Sequence, residues 1–401
     1  MRSGKAPCSR EPNSKSRDRP IAALNQQERP PWHKHPSALP SSPARRWRFW
    51  AFPPRPRSRY RACPLPAPAR FPADSARWPP PDFSAAKPTD LPELEDPAAL
   101  GELSREILDE EELRSRYGTI TRGMDGSETR SEPSDEVMRS LMAPEETPRG
   151  LFIEEPEPVP GPLRLQQSRM APDPTDPRVQ VTDSSNPPIF QAGQLITFYS
   201  EGDPGACSGS LIGPHTVLTA AHCVFDPEVG WPTEVYFLPG ALGDGNYPFG
   251  VHAAQSVSVL PGYVEAVTRG GIEQFLYDLA VVTLAEPLGQ YLGYMGISTT
   301  DQMFGFDAHL LHYPGDKPPS TMWYSTCPVA FMDGLIAPQI YIDNCRTFQG
   351  SSGGNMFALM GSQNQTAVMG VRVAGLPGGG GPNISVRVHE PYFNWIAQNW
   401  K

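Results

Sequence analysis

An all-β architecture is predicted for residues 171–401, and three observations predict it. From about Val179 onward, short β-prone runs follow one another, separated by Gly, Pro, Asp and Asn. No helix-length pattern intervenes until the last dozen residues. A stretch of about 220 residues built this way suits two small barrels or one large sandwich.

In chain order the expected strands are "QLITFYS" (194–200), "GSLIG" (209–213), "TVLTAAHCV" (216–224), "TEVYFLP" (233–239), "AQSVSVLP" (254–261) and "DLAVVTL" (278–284). "QIYIDN" (339–344), "TAVMGVRVAG" (366–375) and "ISVRVHE" (384–390) follow. In "EPYFNWIAQNWK" (390–401), Tyr392, Trp395, Ile396 and Trp400 fall on one stripe of a terminal helix.

The preceding residues differ in kind. The chain of 401 residues has 49 prolines, and residues 1–97 form a Pro- and Arg-rich arm, with "PPRPRSRYRACPLPAPARFP" typical of it. Such a segment buries too little apolar surface to offset the entropy of ordering. It is expected to be largely disordered, or a basic arm for an anionic partner, or a stretch upstream of a true start at Met124 or Met138. Residues 98–170 read as an acidic linker or pro-segment, with a short helix over 95–118 carrying Leu100, Leu103, Ile107 and Leu113.

Net charge is −10 overall, and Lys, Arg, Asp and Glu of residues 171–401 sum to −12. An acidic β-region repels phosphate, so no nucleic-acid partner is expected. No apolar run reaches the roughly 18 residues of a membrane span, and no secretory signal starts at Met1.

Four of the six cysteines, Cys207, Cys223, Cys327 and Cys345, lie in the β-region. Four cysteines allow three pairings; sequence-near pairing joins Cys207 to Cys223 and Cys327 to Cys345, and four buried thiols are the alternative. Their spacing fits no zinc motif and no acidic loop has EF-hand spacing, so no metal or other cofactor is expected. Asn364 and Asn383 open N-glycosylation triplets.

Three residues carry chemistry together. His222 stands between apolar runs in "LTAAHC" (218–223); alone it reads as an ordinary core histidine. Asp278 heads a buried run in "DLAVVTL", where an unpartnered carboxylate is costly. In "GSSGG" (350–354), flanking glycines let backbone N–H groups turn toward a developing oxyanion. Ser352 is then the nucleophile, and the N–H groups of Gly350 and Ser352 form the oxyanion hole. Ser351 points away.

His, Asp and Ser in this order, in an all-β setting, resemble the chymotrypsin-like (trypsin-fold) serine peptidases over about residues 183–401. The resemblance implies two six-stranded antiparallel β-barrels with a short C-terminal helix, the site lying between the barrels. It implies a Cys207–Cys223 disulfide, an oxidising compartment, and a secreted or periplasmic monomer acting on protein or peptide substrates. Its roles are Ser352 nucleophile, His222 general base and Asp278 orienting carboxylate.

"RVQVTDSSNPP" (178–188) and "CSGSLIGPHTVLTAAHCV" (207–224) are similar to the glutamyl endopeptidase branch. That branch places a threonine where Thr347 stands and a pocket histidine where this chain has Arg372. The resemblance implies an acidic P1 preference, with Arg372 either pairing with the substrate carboxylate or filling the pocket. It also implies a zymogen cut near Arg169–Met170–Ala171. A trypsin-fold binding module without catalysis is the alternative reading.

Overall fold

The computed structural model describes residues 81–95, 97–103, 108–143, 149–151, 158, 176–300, 302, 304–330, 338–361, 364–375 and 382–401. Cys8, Cys63, Leu103, Ile107 and the expected cut at 169–171 lie outside the residues whose side chains are described.

The first described elements are β1 (Lys87–Pro88), α1 (Pro97–Leu103), α2 (Glu110–Tyr117), β2 (Thr119–Gly123), β3 (Glu128–Ser131) and α3 (Asp135–Met142). The helix expected over 95–118 is therefore two helices. A capping box begins the second: Asp109 Oδ1 accepts from Glu112 N–H, and Glu112 Oε2 accepts from Asp109 N–H. Tyr117 at its end is buried, against the rings of Tyr277 and Tyr392. The hairpin β2–β3 is part of the first sheet, because β2 pairs with the later strand 252–259.

Next come β4 (Gly150–Leu151), β5 (Val179–Gln180), β6 (Ala192–Phe198), β7 (Gly205–Leu211), β8 (Thr216–Thr219), β9 (Glu234–Pro239), β10 (His252–Val259), α4 (Pro261–Thr268), α5 (Gln274–Tyr277), β11 (Ala280–Leu284) and α6 (Leu288–Leu292). Six of these strands close a ring in the order β11-β8-β7-β6-β9-β10, with β10 pairing back to β11. The second half holds β12 (Gly296–Ser298), β13 (Asp307–His312), β14 (Trp323–Ala330), β15 (Ile340–Asp343), β16 (Asn355–Met360), β17 (Gln365–Gly375), β18 (Asn383–Arg387) and α7 (Glu390–Asn399). Its ring runs β16-β13-β14-β15-β18-β17, closed by β16–β17. Two closed six-stranded antiparallel barrels and a short terminal helix are the architecture the sequence predicts.

On α7, Tyr392, Trp395 and Ile396 are fully buried. Trp400 lies just past the helix, its Nε1–H donating to the Ile212 carbonyl. α7 also holds the segment before the barrels: Trp395 Nε1–H donates to Gly118 O at 3.0 Å, and Asn394 Nδ2 to Ser140 Oγ at 3.1 Å. Both disulfides are formed, Cys207–Cys223 and Cys327–Cys345. Asn383 is buried and bonded to Thr347 and Cys345, so its side chain is closed to modification; Asn364 is exposed.

Candidate active site

His222 sits in a single 3-10 turn, Ala221–Cys223, directly after β8. The Cys207–Cys223 disulfide ties that turn to β7. Closing a loop of this length contributes about 3 kcal/mol in the chain-entropy account. Asp278 caps the end of α5 and is only 2% exposed. Its two oxygens do different things. Oδ1 accepts the His222 backbone N–H at 3.0 Å, and Oδ2 lies 2.6 Å from His222 Nδ1. A carboxylate can only accept, so Nδ1 carries a proton and Nε2 is the free face of the ring. That Nε2 is buried without a hydrogen-bond partner among the described residues.

The serine loop comes from the second barrel and is locked against the first. Ser208 N–H donates to Ser352 O, and Ser208 Oγ donates to Gly350 O at 2.9 Å. Gly350 and Gly353 have φ of 82° and 74°, which favour glycine. Gly353 has a further reason: an added Cβ would stand 2.1 Å from Thr219 Oγ1 and 2.4 Å from Ser208 O. Ser352 is fully buried, and its hydroxyl donates to the carbonyl of Asp90 at 3.2 Å.

That bond belongs to a longer contact which the sequence did not disclose. Residues 87–94 run through the cleft. Thr89 N–H donates to Ala206 O at 2.8 Å, and Thr89 O accepts the Gly350 N–H at 2.8 Å. Gln349 Nε2 reaches Asp90 Oδ1 at 2.6 Å. Further on, Gly375 N–H donates to Pro92 O and Leu94 N–H to Gly375 O, each at 3.0 Å. Phe83 anchors one end among Phe198, Tyr236 and Tyr247, and Leu94 is buried at the other.

Ser351, expected to point away from the site, does so onto a histidine: its Oγ lies 2.7 Å from His312 Nδ1. Of the two residues expected to line a substrate pocket, Thr347 donates its Oγ1–H to Asn383 Oδ1 at 2.7 Å. Arg372 is 1% exposed, and its Nη2 spans both oxygens of the fully buried Asp343 at 2.7 and 2.6 Å. Its Nε and Nη1 have no partner among the described residues. Asp343, His312 and the segment 87–94 were missed by sequence reasoning. Asp343 comes from β15, and no local pattern marks it.

The family profile described as Trypsin matches residues 191–311. Over 232 residues the chain is 31% identical to a glutamyl endopeptidase of Bacillus licheniformis, covering 57% of this chain and 68% of that protein. The chain belongs to the glutamyl endopeptidase family of trypsin-fold serine peptidases. As a family member it is a serine-type endopeptidase, a hydrolase of protein or peptide substrates. A second relative, from Bacillus subtilis, is 27% identical over 229 residues, covers 56% of this chain and 68% of its own length, and is named an extracellular metalloprotease. That name implies a metal. Among the described residues two His/Cys/Asp/Glu groups are tight enough for one, Cys207–His222–Cys223 and Cys327–Asp343–Cys345. In each the two sulfurs are bonded to one another, so neither retains a thiolate to offer. A solved Glu endopeptidase, in complex with MPD, aligns with 22% identity and a TM-score of 0.47, covering 56% of this peptidase and 96% of that chain. No helix among the described residues is long and apolar enough to cross a membrane.

Proposed function

We propose that this peptidase cleaves through an acyl-enzyme with Ser352 as nucleophile, His222 as general base and Asp278 as the orienting carboxylate. The observation that carries the reading is the His222–Asp278 pair. It leaves Nε2 buried and without a partner among the described residues, and the bond from Ser208, beside the Cys207–Cys223 bridge, to Ser352 O supports placing the serine on the same side of the first barrel. Ser352 Oγ attacks the substrate carbonyl carbon as its proton passes to Nε2. The oxyanion rests on the N–H groups of Gly350 and Ser352. The C–N bond then breaks, the amine takes the proton from Nε2, and water repeats the sequence on the ester. Asp278 holds the ring and stabilises the imidazolium.

The preferred P1 residue is acidic. The glutamyl endopeptidase relatives and the two unpartnered guanidinium donors of Arg372 support this. Peptides differing only in Glu or Ala at P1 should separate by at least about tenfold in kcat/KM, and Arg372→Ala should abolish the difference. Equal rates in the parent would remove the preference.

The chain is also a secreted precursor whose cleft is closed by its own residues 87–94. Acyl transfer needs one carbonyl with its oxygen on the Gly350 N–H and its carbon facing Ser352 Oγ. Here Thr89 takes the N–H and Asp90 takes the hydroxyl. Two different peptide groups are gripped, and neither is set up for attack. This supports reading the strand as an inhibitor rather than a substrate.

Fluorophosphonate labelling tests both halves. Full-length protein should label slowly, and Leu94→Asp or Thr89→Pro should label at least about tenfold faster, on Ser352 alone. Labelling should vanish with His222→Ala. Fast labelling of the intact parent would refute the blocked precursor. An adduct elsewhere, or one indifferent to His222, would refute the nucleophile.

A further inference from the structure

Beneath the proposed nucleophile, a second serine–histidine contact lies outside the catalytic roles above. His312 ends β13 and is fully buried. Its Nδ1 lies 2.7 Å from Ser351 Oγ, and its Nε2 lies 3.1 Å from Ser325 Oγ. Ser325 Oγ in turn lies 3.3 Å from the carbonyl of Arg346, and Ser351 Oγ accepts the Phe348 N–H at 3.1 Å. His312 thus reaches residues 346, 348 and 351 of the loop that carries Gly350 and Ser352.

The direction of every bond follows from the carbonyl at the end. A carbonyl only accepts, so Ser325 donates to Arg346 O. With its proton spent, Ser325 accepts from His312 Nε2–H. A neutral imidazole then has a bare Nδ1, and Ser351 donates to it. Ser351 keeps a lone pair for Phe348 N–H, so each donor in the chain meets one acceptor. A cationic His312 would break the series, since Nδ1–H and the Ser351 hydroxyl would face each other as donors. Burial holds this imidazole far below the usual histidine range, and the nearby guanidinium groups of Arg178 and Arg372 add to it, with the Asp176 carboxylate opposing.

We infer that His312 is a positioning residue for peptide-bond hydrolysis, a permanently neutral acceptor that fixes the oxyanion-hole loop through Ser351. The 346–351 turn is braced on two sides. From the first barrel, Ser208 holds Gly350 O, and from the second, Gly315 N–H holds Gln349 O at 2.7 Å. The His312 chain supplies the third point, under Ser351, between the Gly350 N–H and Ser352. Nothing in it touches substrate, so its loss should weaken what the loop does in the transition state and leave ground-state binding alone. The inference rests on Ser352 being the nucleophile.

The test uses full-length protein whose cleft has been opened by Leu94→Asp. Ser351→Ala removes one hydroxyl, leaves the ring in place and is least at risk of failing to fold. It should lower kcat at least about tenfold with KM within about twofold. The affinity of a peptide aldehyde, which forms a tetrahedral adduct, should fall by the same factor. His312→Phe should do the same and His312→Asn, whose amide oxygen can accept from Ser351, should recover most of the rate. Combining Ser351→Ala with His312→Phe should cost no more than either alone. Nitrogen-15 shifts should keep His312 in the Nε2–H neutral form down to pH 5. A folded Ser351→Ala protein with unchanged kcat and aldehyde affinity would overturn the inference, as would an imidazolium signal from His312 at that pH. If Ser352→Ala is inactive while Ser351→Ala is unimpaired, the inference alone fails. If Ser352→Ala is active, the proposed mechanism fails with it.

Discussion

Two histidines, 90 positions apart in the chain, are built for opposite ends. His222 follows β8 of the first barrel, 10% exposed by its side chain, with a carboxylate on Nδ1 and no partner on Nε2 among the described residues. His312 lies inside the second barrel, with hydroxyls on both nitrogens and guanidinium groups nearby. A carboxylate partner lets an imidazole become a cation without leaving a buried charge unpaired. Hydroxyl partners supply no countercharge, so the same ring stays neutral and serves as a fixed strut. Burial pushes the His312 ring toward neutrality, and its hydroxyl partners offer no countercharge to oppose it.

The strongest way to break this comparison is to make His222 resemble His312. Asp278→Asn keeps a hydrogen-bond partner but removes the countercharge and favours the wrong tautomer. A drop in kcat of about 10⁴ is expected, measured on the protein with its cleft opened. A loss under about tenfold would mean that the carboxylate is dispensable and the contrast is false.

The next test is acid. The buried imidazoles of His312, His309 and His389 are all held below the usual range by desolvation, His389 down to about 3. The charges facing them are Arg178, Arg372 and Asp176 for His312, Asp307 for His309, and Arg387 for His389. Above about pH 6.5 these rings are neutral whether folded or not. Below it the unfolded chain binds protons that the folded rings refuse, so stability falls as pH falls. The slope is up to about 1.4 kcal/mol per pH unit for each ring. Urea midpoints between pH 7.5 and 4.5 would measure it, and His312→Asn should flatten the slope by one proton. An unchanged slope would show that His312 protonates in place.

The mildest test is Ser325→Ala, which cuts the His312 chain at its far end. It should cost about 1 kcal/mol of stability, with a much smaller effect on kcat than Ser351→Ala. An equal effect on kcat would mean that the whole network, rather than its Ser351 end, sets the loop.

His222, Asp278 and Ser352 could be singled out because each lies in a short run just before or after a strand, among residue types with few other uses. The strand pattern gave the all-β class and the family resemblance gave two barrels, because a pleated, half-buried strand has a period that survives in sequence. His312 sits in "HLLHYP", an ordinary strand end, and acquires its partners only when the second barrel closes. Asp343 reaches Arg372 by the same closure, across β15 and β17. Residues 87–94 carry little signal: most of their hydrogen bonds run through the backbone, which any sequence supplies, and among the described residues only the Lys87 and Asp90 side chains add to them. The segment around 119–142 looked like a linker because its composition is acidic and poor in apolar residues, yet Ile120, Val137 and Met138 are enough to seat it.

The way α7 grips that segment bears on what the proposed activation would make. Gly118, Thr119, Ser134 and Ser140 are hydrogen-bonded to Trp395, Asn399, Gln398 and Asn394, and β2 is a full neighbour of β10. A cut near residue 170 severs the backbone without touching any of these contacts. Under the proposed precursor reading, the product would be a nicked pair of chains that still elutes as one species on gel filtration. The piece bearing residues 87–94 would then stay tethered beside the proposed nucleophile, at a high effective concentration.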